Sequence, residues 1–195
     1  YWVQNSGNSY INANGETTFA GRFIGDGVNA RNYWLEGGEE NILHLTHTSV
    51  ATGHTGTLYA RNGSKVFLEN GTKFTGNTGQ VRISLGSTLG ANTTTSTVTF
   101  LYMDTGAILD VKAINATTAS KITSTNSMES SGGYKVNVPA GLNPGTYPIL
   151  QANVGGTIVP KLPTVNKNLS GLTPTFAWTA ANPRPGRRLR PRRWR

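Results

Sequence analysis

The chain has 195 residues, no cysteine and only 14% charged residues, which excludes disulfide frameworks, Cys-based metal sites and charge-rich disorder. Its net charge of +9 belongs mostly to one end: seven arginines fall within the last twelve residues, and up to Pro183 there are 11 basic against 9 acidic residues. Polarity otherwise comes from Asn, Thr, Ser and 24 glycines, a mixture suited to short strands and tight turns, which points to an all-β protein.

Residues 1–30 alternate short apolar pieces with Asn-Gly, Ala-Gly and Asp-Gly turns, and no 3.6-residue period survives the glycines. The chain opens "YWVQNSG" without an initiator Met, which reads as a processed product or a fragment with any export signal gone. Residues 31–45 give the one helix-like hint; Gly37 and Gly38 break it, and "NILHL" serves equally well as a strand. No run approaches the length of a transmembrane helix.

From Leu58 to Val111 one phrase recurs: "ARNGSKV" (60–66), "LENGTKF" (68–74), "ISLGSTL" (83–89) and "MDTGAIL" (103–109). Each reads apolar, two residues, Gly, a small residue, one residue, apolar. The physics is a strand, a sharp corner and another strand, because Asn-Gly and Thr-Gly tolerate the positive φ that a corner needs. One such unit cannot bury its apolar face alone, whereas stacked units can. Two architectures answer to this pattern. A parallel β-solenoid (β-helix) tolerates irregular spacing, since loops leave from corners without disturbing the stack. An antiparallel meander or β-sandwich would use the Asn-Gly pairs as hairpins. The solenoid reading at about 20–25 residues per rung gives on the order of seven to nine rungs.

Residues 112–137 are rich in Thr, Ser and Asn, and Ile114, Ile122, Met128 and Val136 are spaced too widely for a compact core, so polar strands and loops are expected there. Residues 138–159 predict a Pro-Gly turn, a strand around Tyr147–Leu150, a Gly-Gly turn and a further strand; "LTPTFAWTA" (172–180) predicts the last strand. The whole divides into one elongated β domain (1–183) and a basic tail (184–195). The tail reads as a disordered end or a cloning or frame-shift scar, with non-specific binding to nucleic acid or an anionic surface as its other reading.

"VFLENGTKFTGNTG" and "VPAGLNPGTYPILQANVGGTIVPKL", in that order, resemble the strand-corner phrase and the segment after the repeats of autotransporter passenger domains, including the pertactin-like ones. The resemblance covers residues 58–180. It implies a right-handed parallel β-helix on the bacterial surface, used for adhesion, self-association or as a scaffold. The C-terminal membrane barrel of that family and an Arg-Gly-Asp motif are absent from this sequence.

Chemistry-bearing residues are sparse. His44, His47 and His54 follow Glu39 and Glu40, but strand geometry sends His44 and His47 to opposite faces, so surface and loop positions are expected rather than a metal site. Asp104 and Asp110 are separated by a corner at Gly106 and do not form the carboxylate pair of a glycosidase. Asp26 in "GDGVN" stands without companions for calcium. Sequons occur at Asn62, Asn70, Asn92, Asn115 and Asn168, two of them at expected corners. "TTTSTVTF" (93–100) offers a single threonine row, too little for an ice-binding face. Trp34, Tyr33, Tyr59 and Tyr134 would offer sugar or partner stacking where exposed.

The expected function is therefore that of a secreted or surface-displayed structural or adhesive solenoid, without catalytic, cofactor or metal residues. Its partners would be further copies of itself and host or matrix glycans. The alternatives are a polysaccharide-degrading enzyme on the same scaffold, and a β-sandwich filament subunit that donates residues 1–12 as a strand.

Overall fold

The computed structural model describes residues 2–3, 8–11, 15–24, 31–48, 54–76, 79–152 and 161–177. The Asp26 loop and the arginine tail lie outside the described residues. Among the described residues the regular structure is all β. In chain order the strands are β1 (Trp2–Val3), β2 (Asn8–Ile11), β3 (Glu16–Phe19), β4 (Phe23–Ile24), β5 (Asn32–Leu35), β6 (Ile42–Leu45), β7 (Thr57–Ala60), β8 (Lys65–Leu68), β9 (Lys73–Phe74) and β10 (Gln80–Ile83). They continue as β11 (Thr88–Ala91), β12 (Ser96–Met103), β13 (Ile108–Asp110), β14 (Ala113–Asn115), β15 (Thr118–Ala119), β16 (Ile122–Glu129), β17 (Lys135–Val138), β18 (Leu150–Ala152) and β19 (Thr164–Asn168).

Strands adjacent in sequence almost never pair. β3, β6, β8, β11, β13, β17 and β19 stack in parallel as one seven-stranded sheet. β2, β5, β7, β10, β12 and β16 stack as a second parallel wall, and β18 pairs with Ile122–Ser124 at the other end of β16. Parallel neighbours one coil apart define a β-solenoid, and the antiparallel sandwich is thereby ruled out. In the first wall Glu16, Ile42, Lys65, Thr88, Ile108, Lys135 and Thr164 lie one above another, at sequence offsets of 20 to 29 residues.

The long strand β12 shows how the walls join. Thr97 and Val98 pair with Lys73 and Phe74, while Phe100 to Met103 pair with Gln80 to Ile83. One strand thus turns from a third, narrower wall into the second, and its pairing with β16 shifts register at the bend, between Val98 and Phe100. The extra residue of β16 is held there by Ser124, whose Oγ lies 3.0 Å from the Thr99 carbonyl and 2.6 Å from that of Ser127.

The recurring phrase supplies the corners. Its first, fifth and seventh residues are buried in all four copies: Ala60, Ser64 and Val66; Leu68, Thr72 and Phe74; Ile83, Ser87 and Leu89; Met103, Ala107 and Leu109. Between them the chain makes a four-residue turn with positive φ at Asn62 and Gly63, Asn70 and Gly71, Leu85 and Gly86, and at Gly106. The fifth residue's N–H closes each turn onto the second residue's carbonyl, as Thr72 N to Glu69 O (3.0 Å) and Ala107 N to Asp104 O (3.0 Å) show. Where the fifth residue carries a hydroxyl it points inward; Ser64 and Thr72 find acceptors there, whereas the Ser87 hydroxyl is buried without one among the described residues. Ser64 Oγ finds Leu35 O (3.0 Å) and Arg61 O (2.9 Å), and Thr72 Oγ1 finds the Leu45 and Glu69 carbonyls.

Inward residues form apolar columns along the axis: Leu43, Val66, Leu89, Leu109 and Val136 on the first wall, Tyr33, Leu58, Val81, Leu101 and Met128 on the second. Two expectations are corrected. Ile122, Met128 and Val136 are each 1% exposed and belong to the core, because residues widely spaced in sequence meet their neighbours in the next coil. The described part of residues 172–180, up to 177, is not a strand; the last strand of the first wall is β19. The helix-like hint at 31–45 resolves into β5 and β6. The described parts of residues 1–12 are paired within the chain, β1 with β4 and β2 with β5. The strand expected after Gly155-Gly156 lies outside the described residues.

Candidate functional site

The outward positions of the second wall line up as sharply as the inward ones. Tyr10, Trp34, Tyr59, Arg82, Tyr102 and Glu129 occupy one column in successive coils. Alternation along each strand puts them outside, and parallel in-register stacking puts them over one another. The Trp34 and Tyr59 rings stack at 4.0 Å and 16°. The Arg82 guanidinium lies between the next two rings, 6.0 Å from Tyr59 and 5.7 Å from Tyr102, while that of Arg61 lies 4.2 Å from the Trp34 ring. The Trp34–Tyr59 stack covers the facing sides of those two rings, and the Trp34 indole N–H is buried without a partner among the described residues. At the N-terminal end Tyr10 is 61% exposed.

Charge on this wall is compensated locally. Arg82 Nε lies 2.8 Å from Asp104 Oδ2, and that pairing holds the guanidinium in its charged form against partial burial. Ser131 Oγ adds a third coil by donating to Asp104 Oδ1 at 3.0 Å. Arg61 pairs with Glu36. Arg82 and Arg61 are therefore charge-paired and do not present free cations to a polyanion.

The first wall carries a smaller outward ladder. Asn137 Nδ2 donates to Asp110 Oδ1 (2.9 Å), and Asn166 Nδ2 donates to Asn137 Oδ1 (2.9 Å), with Lys112 Nζ 3.0 Å from Asp110. Asp104 and Asp110 stand on different walls, each engaged in its own network, as the corner at Gly106 led one to expect. The threonine row of 93–100 runs through a corner and into the bend of β12, so it presents no flat face.

The three histidines separate. His44 is outward on β6, its ring 5.3 Å from that of Phe67 and its two nitrogens each 2.8 Å from a carboxylate, Glu16 and Glu69. His54 is inward: it is 1% exposed and stacks on Phe74 at 4.0 Å, with Phe23 5.8 Å away. Its Nδ1 accepts the Phe23 N–H at 3.1 Å. Burial, reinforced by the charges of His47 and Arg22, lowers its pKa from 6.5 to about 3, so it is neutral at pH 7. The expectation that all three histidines are surface or loop residues is corrected here, because His54 replaces an apolar residue in the core. His47 stands edge-on to His54 at 5.2 Å, and no group of three or more His, Cys, Asp or Glu among the described residues suits a metal.

Of the aromatics named as stacking candidates, Tyr33 and Tyr134 are 0% and 2% exposed, so they serve the core rather than a surface. Burial raises the pKa of both phenols. Trp34 and Tyr59 remain on the outside, and Arg82 and Tyr102 join them. The sequence signal for this ladder was available: Trp34, Tyr59, Arg82 and Tyr102 each precede by one residue an inward apolar residue at the start of a corner, namely Leu35, Ala60, Ile83 and Met103. A groove of about 430 Å³ at the N-terminal end is lined by Tyr10, Ile11, Glu36, Gly37, Gly38, Asn41 and Asn62. Its single carboxylate, Glu36, is already paired with Arg61.

No protein-family model, no curated protein and no solved structure matches this chain.

Proposed function

We propose that this chain is a secreted or surface-displayed β-solenoid of structural and adhesive role, whose second wall binds neutral, hydroxyl-rich glycans along its length. The observation that carries the reading is the outward ladder Trp34–Tyr59–Arg82–Tyr102 with its locally compensated charges. A repeated row of hydrogen-bonding edges suits a repeating polymer, since each sugar meets an equivalent coil. The likeness of residues 58–180 to autotransporter passenger domains supports the same reading, and would place the protein at the bacterial cell surface. Self-association into fibres fits the same class, because strands at the ends of a solenoid offer unpaired backbone groups to a second copy.

A polysaccharide-degrading enzyme on this scaffold is the second reading; it needs two carboxylates facing one another across a substrate. Among Glu36, Asp104 and Asp110, the first two hold arginines and the third holds Lys112 and Asn137. Retention of the full chain on immobilised neutral polysaccharides, with released reducing ends measured in parallel, separates the two. The adhesive reading expects retention without release, weakened at least tenfold in Tyr59→Ala/Tyr102→Ala with the β-sheet circular dichroism unchanged. Release of reducing ends, or retention indifferent to the double substitution, would overturn it.

A further inference from the structure

We propose that Asn115 is an acceptor site for N-linked glycosylation, selected by the fold over the other sequons of the chain. Five Asn-x-Ser/Thr sequences are present, at Asn62, Asn70, Asn92, Asn115 and Asn168. The solenoid uses them differently.

Asn62 and Asn70 are corner residues with φ of 60° and 53°. Their hydroxyl partners, Ser64 and Thr72, are 0% exposed, and those hydroxyls are bound to carbonyls of the coil below and of their own turn. A transferase cannot reach those hydroxyls in the folded chain. Asn92 uses its side-chain oxygen to accept the Asn70 N–H at 2.8 Å, which ties it to the neighbouring coil.

Asn115 is placed otherwise. It is exposed at the end of β14, and β14 and β15 form an antiparallel hairpin separate from the parallel sheets of the solenoid. Its Oδ1 accepts both the Thr117 N–H (2.9 Å) and the Thr117 hydroxyl (3.1 Å). The sequon is thus already folded onto itself, with the residue pair that defines it in contact. The hairpin is held by the segment that follows β17: Asn143 N donates to the Ala116 carbonyl at 2.8 Å, and the Tyr147 hydroxyl lies 2.6 Å from the Asn143 carbonyl and 3.2 Å from that of Ala116. Asn168 shares the local geometry, with Ser170 N and Oγ at 3.1 and 2.6 Å from its Oδ1. Its Nδ2, however, donates to the Leu172 carbonyl at 2.6 Å and must release that bond to react. Asn168 is therefore the weaker acceptor.

The chemistry follows from those two donors. The donor substrate is an oligosaccharide joined through C1 to a polyprenyl diphosphate. Nδ2 of Asn115 attacks C1, the C1–O bond breaks, and the diphosphate leaves with the electron pair. The amide proton passes to a carboxylate of the transferase, and no oxidation occurs. Two hydrogen bonds to Oδ1 stabilise the negative charge that gathers there as Nδ2 gives up its proton. Asn115 stands on the β14–β15 hairpin and the aromatic ladder on the second wall, so modification and glycan binding can be tested separately.

The test uses the purified, folded full chain with an oligosaccharyltransferase and its polyprenyl-diphosphate oligosaccharide, read by intact mass and by peptide mapping. The expected result is one principal glycan on Asn115 and a lower occupancy on Asn168. Asn115→Gln and Thr117→Ala should remove the principal addition, and Thr117→Ser should keep it. Equal occupancy at Asn62, Asn70 or Asn92 would overturn the proposal, as would no transfer to the folded chain when a short peptide of residues 112–120 accepts the glycan. Retention on polysaccharide is measured separately, so failure here leaves the adhesive reading standing.

Discussion

Between Lys65 and Ile108 successive coils of the first wall advance by 23 and 20 residues, whereas from Ile108 to Thr164 they advance by 27 and 29. The stack itself does not lengthen, because parallel partners remain one strand spacing apart. The surplus leaves at the corners, as the β14–β15 hairpin and as the segment 139–149 that packs against it. Burial follows the same division. β8 alternates fully buried Val66 and Leu68 with outward Lys65 and Phe67, whereas every residue of β19 is exposed. Tight corners therefore produce a closed column of core, and long excursions produce surface on which a hairpin or a modified side chain can stand.

The largest expected break in this contrast is Leu68→Ala. Leu68 is 0% exposed in the middle of the stack, so truncation should cost about 2–5 kcal/mol in chemical denaturation. Equivalent costs for Leu68→Ala and for Val165→Ala on β19 would contradict the distinction between the two regions.

Acid should act next, through His54. Its folded pKa, about 3, lies below the unfolded value of 6.5, so the unfolded chain binds the extra proton first. The stability contributed by keeping the imidazole neutral is complete above pH 6.5 and is lost as pH falls toward 3, at up to about 1.4 kcal/mol per pH unit. His54→Phe keeps the aromatic column Phe23–54–Phe74 and should flatten the slope, while leaving the Phe23 N–H without its acceptor. A melting temperature whose fall between pH 6.5 and 4 is the same in both proteins would be the wrong result.

Leu85 sharpens the comparison in the other direction. It is a corner residue at φ 31°, 68% exposed, where two other copies of the phrase place asparagine. Asn tolerates that region better than a branched apolar side chain, so Leu85→Asn should stabilise by about 1 kcal/mol. A loss of stability would show that the corner is not governed by φ. The smallest effect is expected for Val165→Ala, 40% exposed at the edge of the stack, at about 0.5 kcal/mol or less.

How much of this was legible in the amino acids depends on the region. "ARNGSKVFLENGTKF" shows two corners, and the fold explains why the copies are only eight residues apart. They are different corners of one coil: the first leads from β7 into β8 and the second from β8 into β9. The copies at 60, 83 and 103 are one corner in three successive coils, which is why no single period fits all four. The core residues at 122, 128 and 136 were not legible, because their partners are a coil away and their immediate neighbours are polar or charged: Lys121 and Thr123, Ser127 and Glu129, Lys135 and Asn137. His54 was missed for the same reason: its ring completes a column whose other members, Phe23 and Phe74, are 31 and 20 residues distant in sequence. The outward ladder was half legible. Trp34 and Tyr59 were recognisable as candidates, but Arg82 and Tyr102 join them only once the coil register is known, and Tyr33 and Tyr134 drop out by facing inward.

Salt dependence of retention on an immobilised neutral polysaccharide tests the central claim most directly. A wall whose arginines are neutralised by Asp104 and Glu36 should hold the chain equally well at about 0.05 and 0.5 M salt, because no counterions are released on binding. Retention that collapses over that range, or that is absent at both ends of it, would contradict a glycan-binding role for the ladder.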